Sequence, residues 1–411
     1  MKKLGPVIGV LLSTVAFLAI MVVVDPFDRI NDLLDISFGA PPKWTQVEII
    51  YCNSETQEVS HGGEPVPSLQ LLARHWRQHS EARRILFVGN SQMFSITLAA
   101  GEAPPTGPEK TYVDVVADQL WSSTGNYLVY RFSPGAMSYP EALWFLQYMF
   151  LNPNLRPDYV FLQMNYQAFY NAGIRNGMLT MLDEPVFREH IERLSGSGEP
   201  YADSFQEALK TYLDLKGKQE KEAGGPSGTR SGQRSSNVPY ANYGYRIETA
   251  ARSLLDEVAG FKNRAAIKGS FLKMLYRERV YFFRLTPGTP RSLTGARLLT
   301  SRASIEAIAR LCGNQHAKLV LFNAPVNPKV SLYRITADRD SYHCFLTSIA
   351  AQYRLSFYDF ENAVPSEFWG NLLNGPDPLH LSRKGHQILA DKILDALQRV
   401  TASDSLIKER N

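Results

Sequence analysis

The chain reads as an α/β protein built on a doubly wound, five-stranded parallel sheet with helices on both faces. Three observations predict this. Short apolar runs of about six residues recur along the chain, as expected of strands buried on both faces. Between them lie segments whose apolar residues return at helical spacing, and such alternation implies parallel pairing through right-handed crossovers. The composition can fill the resulting core: of 411 residues 44% are hydrophobic and 20% charged, and 21 Phe with 20 Tyr offer large apolar surfaces.

The first strand is Arg84 to Gly89 (RILFVG), closed abruptly by Gly-Asn-Ser, as where a buried strand enters a turn. Tyr112 to Ser122 (YVDVVADQLWS) has helical spacing and leads to the second strand, Tyr127 to Ser133 (YLVYRFS). Pro140 to Phe150 is the next helix and Tyr159 to Met164 (YVFLQM) the third strand. Helix Ser301 to Cys312 precedes the fourth strand, Lys318 to Asn323 (KLVLFN), and helix Ser341 to Tyr353 the fifth, Leu355 to Phe360 (LSFYDF). Arg383 to Val400 closes the chain as a helix.

The sheet domain therefore falls into two halves, 81–170 and 301–411, parted by an insertion at 171–300. Those ~130 residues far exceed the dozen or so that a crossover needs. The centre of the insertion, 216–237 (KGKQEKEAGGPSGTRSGQRSSN), is rich in Gly, Ser and charge and is expected to be disordered. Ala250 to Phe261 and Ser270 to Leu285 carry apolar and aromatic residues at helical spacing, which suggests a helical cap over the carboxyl edge of the sheet. Ahead of the sheet, 25–80 reads as a stalk, with Pro41-Pro42, Gly62-Gly63, Pro65 and Pro67, that becomes structured near the helical pattern of Leu69 to His79.

Gly5 to Val24 is an uncharged, mostly apolar run of 20 residues, long enough as a helix to span the ~30 Å hydrocarbon core of a bilayer. Its last residues, AIMVVV, offer no small-x-small cleavage site, so a retained single-pass anchor is expected. Lys2 and Lys3 place the tip, 1–4, in the cytoplasm and the rest of the chain outside it.

The net charge of +4 gives no support for nucleic-acid binding, which calls for clustered Lys and Arg. In an exported protein Cys312 and Cys344 can form a bridge and leave Cys52 over; three buried thiols fit as well. His75 and His79 stand at i, i+4 but without an acidic partner, so a solvated helix explains them better than a metal. The stretch 262–284, with Lys268, Lys273, Arg277, Arg279 and Arg284, fits a cap with a charged outer face, or a surface that lies on an anionic membrane or polymer. The Gly-rich 224–232 lacks the context of a phosphate loop and reads as a linker.

Open parallel sheets bind ligands beyond the carboxyl ends of their strands. Ser91 stands just there, with Gln92-Met93-Phe94 able to begin a helix whose N-terminus favours developing negative charge. A serine in this place is also an ordinary N-cap. Asp377-Pro378-Leu379-His380, expected in a loop between the fifth strand and the last helix, shifts the balance. A serine hydroxyl is a weak nucleophile until a base takes its proton, and a carboxylate that orients the imidazole completes such a set. His386, six residues further on, fits the start of the last helix better than the role of base.

With GNS after the first strand and DPLH before the last helix, the chain resembles the SGNH (GDSL-like) hydrolase superfamily. That family places a Ser after the first strand, a Gly after the second, an Asn after the third and Asp-x-x-His near the C-terminus. The matching residues are Ser91 in GNSQ, Gly135 in FSPGAMS, Asn165 in QMNYQ, and Asp377 with His380 in DPLHLSRKGH. The resemblance implies Ser91 as nucleophile, His380 and Asp377 as its activating pair, and an oxyanion hole from the backbone N–H groups of Ser91 and Gly135 and the side chain of Asn165, with no cofactor or metal. Asn165 also suits an ordinary turn.

Two blocks depart from the family pattern. Gly-Asn-Ser-Gln stands for Gly-Asp-Ser-Leu, and Gln163-Met164-Asn165-Tyr166 for Gly-x-Asn-Asp. These departures, the anchor and the insertion look like the divergent members that acylate cell envelopes, such as the D-alanine transfer protein and the O-acetylation proteins of alginate and peptidoglycan. The resemblance implies an O-acyl transferase or esterase on an envelope glycan or polymer, beside a membrane-bound O-acyltransferase. The rival reading is a non-catalytic scaffold for such a partner, which would have no need of Ser, His and Asp together.

Overall fold

The computed structural model describes residues 49–52, 65–94, 96–97, 110–124, 126–223, 295–372 and 375–408. The expected membrane run 5–24, the helical segments 250–261 and 270–285, the basic stretch 262–284 and the linker 224–232 lie outside them. Among the described residues no helix is long and apolar enough to cross a membrane.

A six-stranded sheet carries the fold. Strands β1 (Ile49–Cys52), β2 (Arg83–Val88), β3 (Tyr127–Phe132), β4 (Tyr159–Met164), β5 (Lys318–Asn323) and β6 (Ser356–Asp359) lie in the order β1-β3-β2-β4-β5-β6. The five from β2 to β6 pair in parallel, and β1 joins β3 antiparallel. The parallel strands match the five apolar runs of the sequence, and their order is that of a doubly wound sheet whose switch point lies between β2 and β4. β1 corrects the reading of 25–80 as stalk up to the first helix. Its Ile-Ile-Tyr-Cys suits a pleated strand, and its place covers the edge that β3 would otherwise expose.

Helices cover both faces because successive strand residues point to opposite sides. Ile85 and Phe87 of β2 enter one core, with helices α2 (Tyr112–Thr124) and α8 (Arg383–Lys408), while Leu86 and Val88 enter the other. The second core is built against α1 (Pro65–Gln78), α3 (Tyr139–Leu151), α6 (Gly295–Asn314) and α7 (Thr336–Tyr353).

Helix α3 explains the insertion. It is apolar round its whole circumference and buried from Tyr139 to Phe150, so it needs cover on the side away from the sheet. Two helices of the insertion supply it, α4 (Pro185–Ser195) and α5 (Ala202–Ala223), whose Phe187 and Phe205 meet the Trp144 ring edge-on at 5.3 and 5.2 Å. The described part of the insertion is thus a flanking layer on α3, with 171–175 running along the carboxyl edge, held by bonds to the loop after β3 and to Glu141 of α3; the segments expected to form the cap, 250–261 and 270–285, lie outside the described residues. The expected disorder from Lys216 is also corrected as far as Ala223, which ends α5. Lys216 pairs with Asp183 at 2.9 Å and lies over the Tyr212 ring, and after Gly217 the chain runs through Lys, Gln, Glu and Ala, all good helix formers.

Two further expectations change. A hairpin, β7 (Trp369–Leu372) with β8 (Gly375–Leu381), holds the Asp-Pro-Leu-His segment that was expected in a loop; Trp369 and Leu381 pair across it and are both buried. Cys312 and Cys344 form no bridge: both are free, because Cys312 faces the core from α6 while Cys344 is exposed on α7. The Cys52 side chain lies outside the described set.

Candidate active site

Three residues past one row of the sheet, the chain delivers Ser91, Gly135 and Asn165 to the same edge. Phe132, Val88 and Leu162 are registered partners on β3, β2 and β4, and each of the three candidates lies three residues beyond one of them. The first turn is tight. A Cβ on Gly89 would come within 2.3 Å of Met93 Cε and 2.8 Å of Gln163 Cβ, so glycine is required there. Asn90 then caps a 3-10 turn, Ser91–Met93, its side chain accepting the Gln92 N–H at 3.1 Å. No long helix starts behind Ser91, contrary to expectation. The chain beyond Phe94 is drawn to β8 instead, where Thr97 donates its N–H to Leu381 O and its hydroxyl to His380 O, both at 3.0 Å.

Ser91 Oγ stands 2.9 Å from His380 Nε2, and His380 Nδ1 stands 2.9 Å from Asp377 Oδ2. The other Asp377 oxygen accepts the backbone N–H of Leu379 and of His380, each at 2.9 Å. Burial would raise the Asp377 carboxyl, but hydrogen bonds from His380 and these amides hold it below the usual carboxylate range. A carboxylate in this place keeps a proton on Nδ1 and leaves Nε2 free to accept one from the hydroxyl. Asp377 is 1% exposed and His380 partly open, so solvent or substrate reaches the imidazole and not its carboxylate.

Sequence reasoning missed what holds this strand. Four consecutive carbonyls, Asp377 to His380, are each engaged: the first two by Asn327 through its Nδ2 (2.8 Å) and N–H (3.3 Å), the third by Gln92 Nε2 (2.8 Å), the fourth by Thr97. Asn327 follows β5 at the carboxyl edge, where a polar residue is the one available signal. Arg131, buried on β3, ties the far end of the serine turn by donating to Met93 O at 3.0 Å.

Asn165 is buried, and its Oδ1 accepts the Gln167 N–H at 2.8 Å, as in an ordinary turn. Its Nδ2 is buried with no protein partner, an amide donor left open at this edge. Gly135 belongs to a loop fixed from the insertion. Arg175 donates to Gly135 O at 3.0 Å and to the buried Glu141 carboxylate, and Asn171 Nδ2 donates to Ala136 O at 3.0 Å, where Ala136 is left-handed at φ 51°. Ser138 and Glu141 form a capping box at the start of α3.

The other histidines among the described residues lie elsewhere. His386 is fully buried, stacks on the Tyr112 ring and accepts the Tyr112 N–H at 3.1 Å. His75 and His79 are ring neighbours on α1. Among the described residues one trio has metal-like spacing, His343, Asp359 and Glu361. It reads as an ion-pair network: His343 reaches Asp359 at 3.3 Å and Glu361 at 2.5 Å through opposite ring nitrogens, and Arg339 donates to both oxygens of Glu361. The two carboxylates hold the imidazole charged, with its pKa raised to about 9.

No protein-family model matches the sequence, and no curated protein does. Among solved structures, an acetylxylan esterase from Geobacillus stearothermophilus superposes at 13% identity and TM-score 0.35, over 76% of this chain and 93% of that one. An α/β hydrolase from the metagenome of Lake Arreo, Spain, gives 9% and 0.38, over 77% and 95%. A carbohydrate acetylesterase from Sinorhizobium meliloti gives 11% and 0.30, over 77% and 99%. Likenesses this loose carry no weight for fold or chemistry, which rest on strand order and side-chain geometry.

Proposed function

We infer that the protein is a serine-dependent O-acyl transferase or esterase, acting outside the cytoplasm on a cell-envelope glycan or polymer. One observation carries the chemistry: the unbroken run of 2.9 Å contacts from Asp377 through His380 to Ser91. Ser91 Oγ attacks an ester carbonyl while His380 Nε2 takes its proton, and Asp377 stabilises the imidazolium. The oxyanion so formed is met by the open Asn165 Nδ2 and by the backbone N–H groups of Ser91 and Gly135. Collapse breaks the ester bond, the leaving alcohol takes the proton from His380, and the acyl group stays on Ser91. A glycan hydroxyl, or water, then attacks as His380 takes its proton, and Ser91 leaves with that proton restored.

The envelope setting rests on the apolar run 5–24 with Lys2 and Lys3 ahead of it, and on the resemblance to envelope-acylating SGNH proteins. On that reading the acyl donor is a membrane-bound O-acyltransferase partner and the acceptor a polymer hydroxyl. The test compares ester content of the envelope, and acyl-enzyme trapped by acid quench, in cells that carry wild type, Ser91→Ala or His380→Ala. Wild type is expected to show an acyl adduct on Ser91, with envelope esters lost in both variants. Unchanged ester content in both variants would reject catalysis and fit a scaffold.

A further inference from the structure

Behind the serine turn lie two amides that take no part in the proton chain, Gln92 and Gln163, 0% and 1% exposed. Gln92 Nε2 donates to two main-chain carbonyls, Leu379 O at 2.8 Å and Pro325 O at 3.1 Å. Carbonyls only accept, so the Gln92 nitrogen is fixed on that side and its oxygen must accept from elsewhere. It accepts from Gln163 Nε2 at 2.7 Å, which leaves Gln163 Oε1 to accept the Asn90 N–H at 3.0 Å. One orientation satisfies the whole run. It links the residue before Ser91, through two buried amides, to the residue before His380.

We propose that this amide clasp sets the distance between the Ser91 hydroxyl and the His380 imidazole, and that Gln92 and Gln163 are positioning residues for that pair. The proposal rests on the serine reading above. Ser91 and His380 are 289 positions apart in sequence, on separate elements. The Asp377–His380 pair needs no such help, because Asp377 closes it within four residues through its own backbone contacts. Thr97 fixes the strand after His380, and Gln92 fixes the peptide just before it. Gln92 and Gln163 also stand where the two motifs depart from the family pattern, in place of Leu and Gly. The departures form one unit, since each amide supplies the partner that the other needs in a dry interior.

The test measures the rate constant for phosphonylation of Ser91 by a fluorophosphonate across pH, on the full chain. Wild type is compared with Gln92→Met, Gln163→Met, the double variant and Gln92→Glu. Slack of about 1 Å between reacting groups costs on the order of 10²-fold, so the plateau rate of Gln92→Met is expected to fall by about that factor. The pH midpoint stays at the wild-type value because the Asp377–His380 pair is intact. The double variant is no slower than Gln92→Met alone, as expected of groups acting in series. Gln92→Glu keeps the length but turns an oxygen on two carbonyls, and shows the same loss should the Met variant fail to fold. Gln variants that react at the wild-type rate, lose rate with a shifted midpoint, or lose it additively overturn the clasp alone. A wild type with no adduct on Ser91 overturns the serine reading and the clasp together.

Discussion

At the scale of single residues, Asp377 divides its two oxygens between separate tasks, and a conservative change separates them. In Asp377→Asn one oxygen can still accept the N–H of Leu379 and His380, while an NH₂ group replaces the acceptor that faces Nδ1. The imidazole then places its proton on Nε2 and cannot take one from Ser91. The rate is expected to fall on the order of 10³ to 10⁴ in a protein that still folds, read as ester hydrolysis beside a thermal melt. A loss below tenfold would mean that the carboxylate does not set the tautomer. The juxtaposition of Ser91, His380 and Asp377 was legible in the sequence because the proposed chemistry calls for those residue types together. Asn327, Thr97 and Gln92 were not, since satisfying a carbonyl is a task that many polar side chains perform and that only the fold assigns.

At the scale of elements, α7 is joined to the end of β6 by charge. His343 and Arg339 of α7 face Asp359 and Glu361, Asn323 donates to the other Asp359 oxygen, and burial, with the nearby Glu361 and Asp359 charges, holds Tyr333 well above its usual range. With its folded pKa raised to about 9, above the ordinary 6.5, His343 lends stability that is full below pH 6.5 and lost as pH rises through 9. The shift corresponds to roughly 3 kcal/mol before solvent screening of the part-exposed Asp359 is discounted. Urea unfolding is expected to show that decline between pH 6.5 and 9 in wild type and not in His343→Gln; equal slopes would reject the network.

The parallel strands were legible to within a residue or two because burial on both faces leaves an unbroken apolar run. β1 and the β7–β8 hairpin were not. β8 holds Gly375, Pro376 and Pro378, poor strand formers, and it pairs because Trp369 and Leu381 are buried together. Local pattern cannot carry that information.

At the scale of the molecule, two cores share one sheet, and the larger continues through α3 into the insertion. Trp144 is its junction, fully buried between Phe187 and Phe205. Trp144→Ala is expected to destabilise the protein by about 3 to 5 kcal/mol in chemical denaturation. It should also expose α4 and α5 to limited proteolysis before the sheet. A cost under about 1 kcal/mol would mean that these helices are not part of the core. Residues 171–175 of the insertion also anchor the Gly135 loop through Arg175 and Asn171, so the insertion that covers α3 shapes the site as well.

The central claim is that the hydroxyl of residue 91 is made nucleophilic by the imidazole of residue 380. Peptide mapping after exposure of the full chain to a fluorophosphonate tests it most directly. The adduct is expected on Ser91 in wild type, to form at least about 10³-fold more slowly in His380→Ala, and to be absent in Ser91→Ala at an unchanged melting temperature. An adduct on another residue, or His380→Ala reacting as fast as wild type, would contradict it.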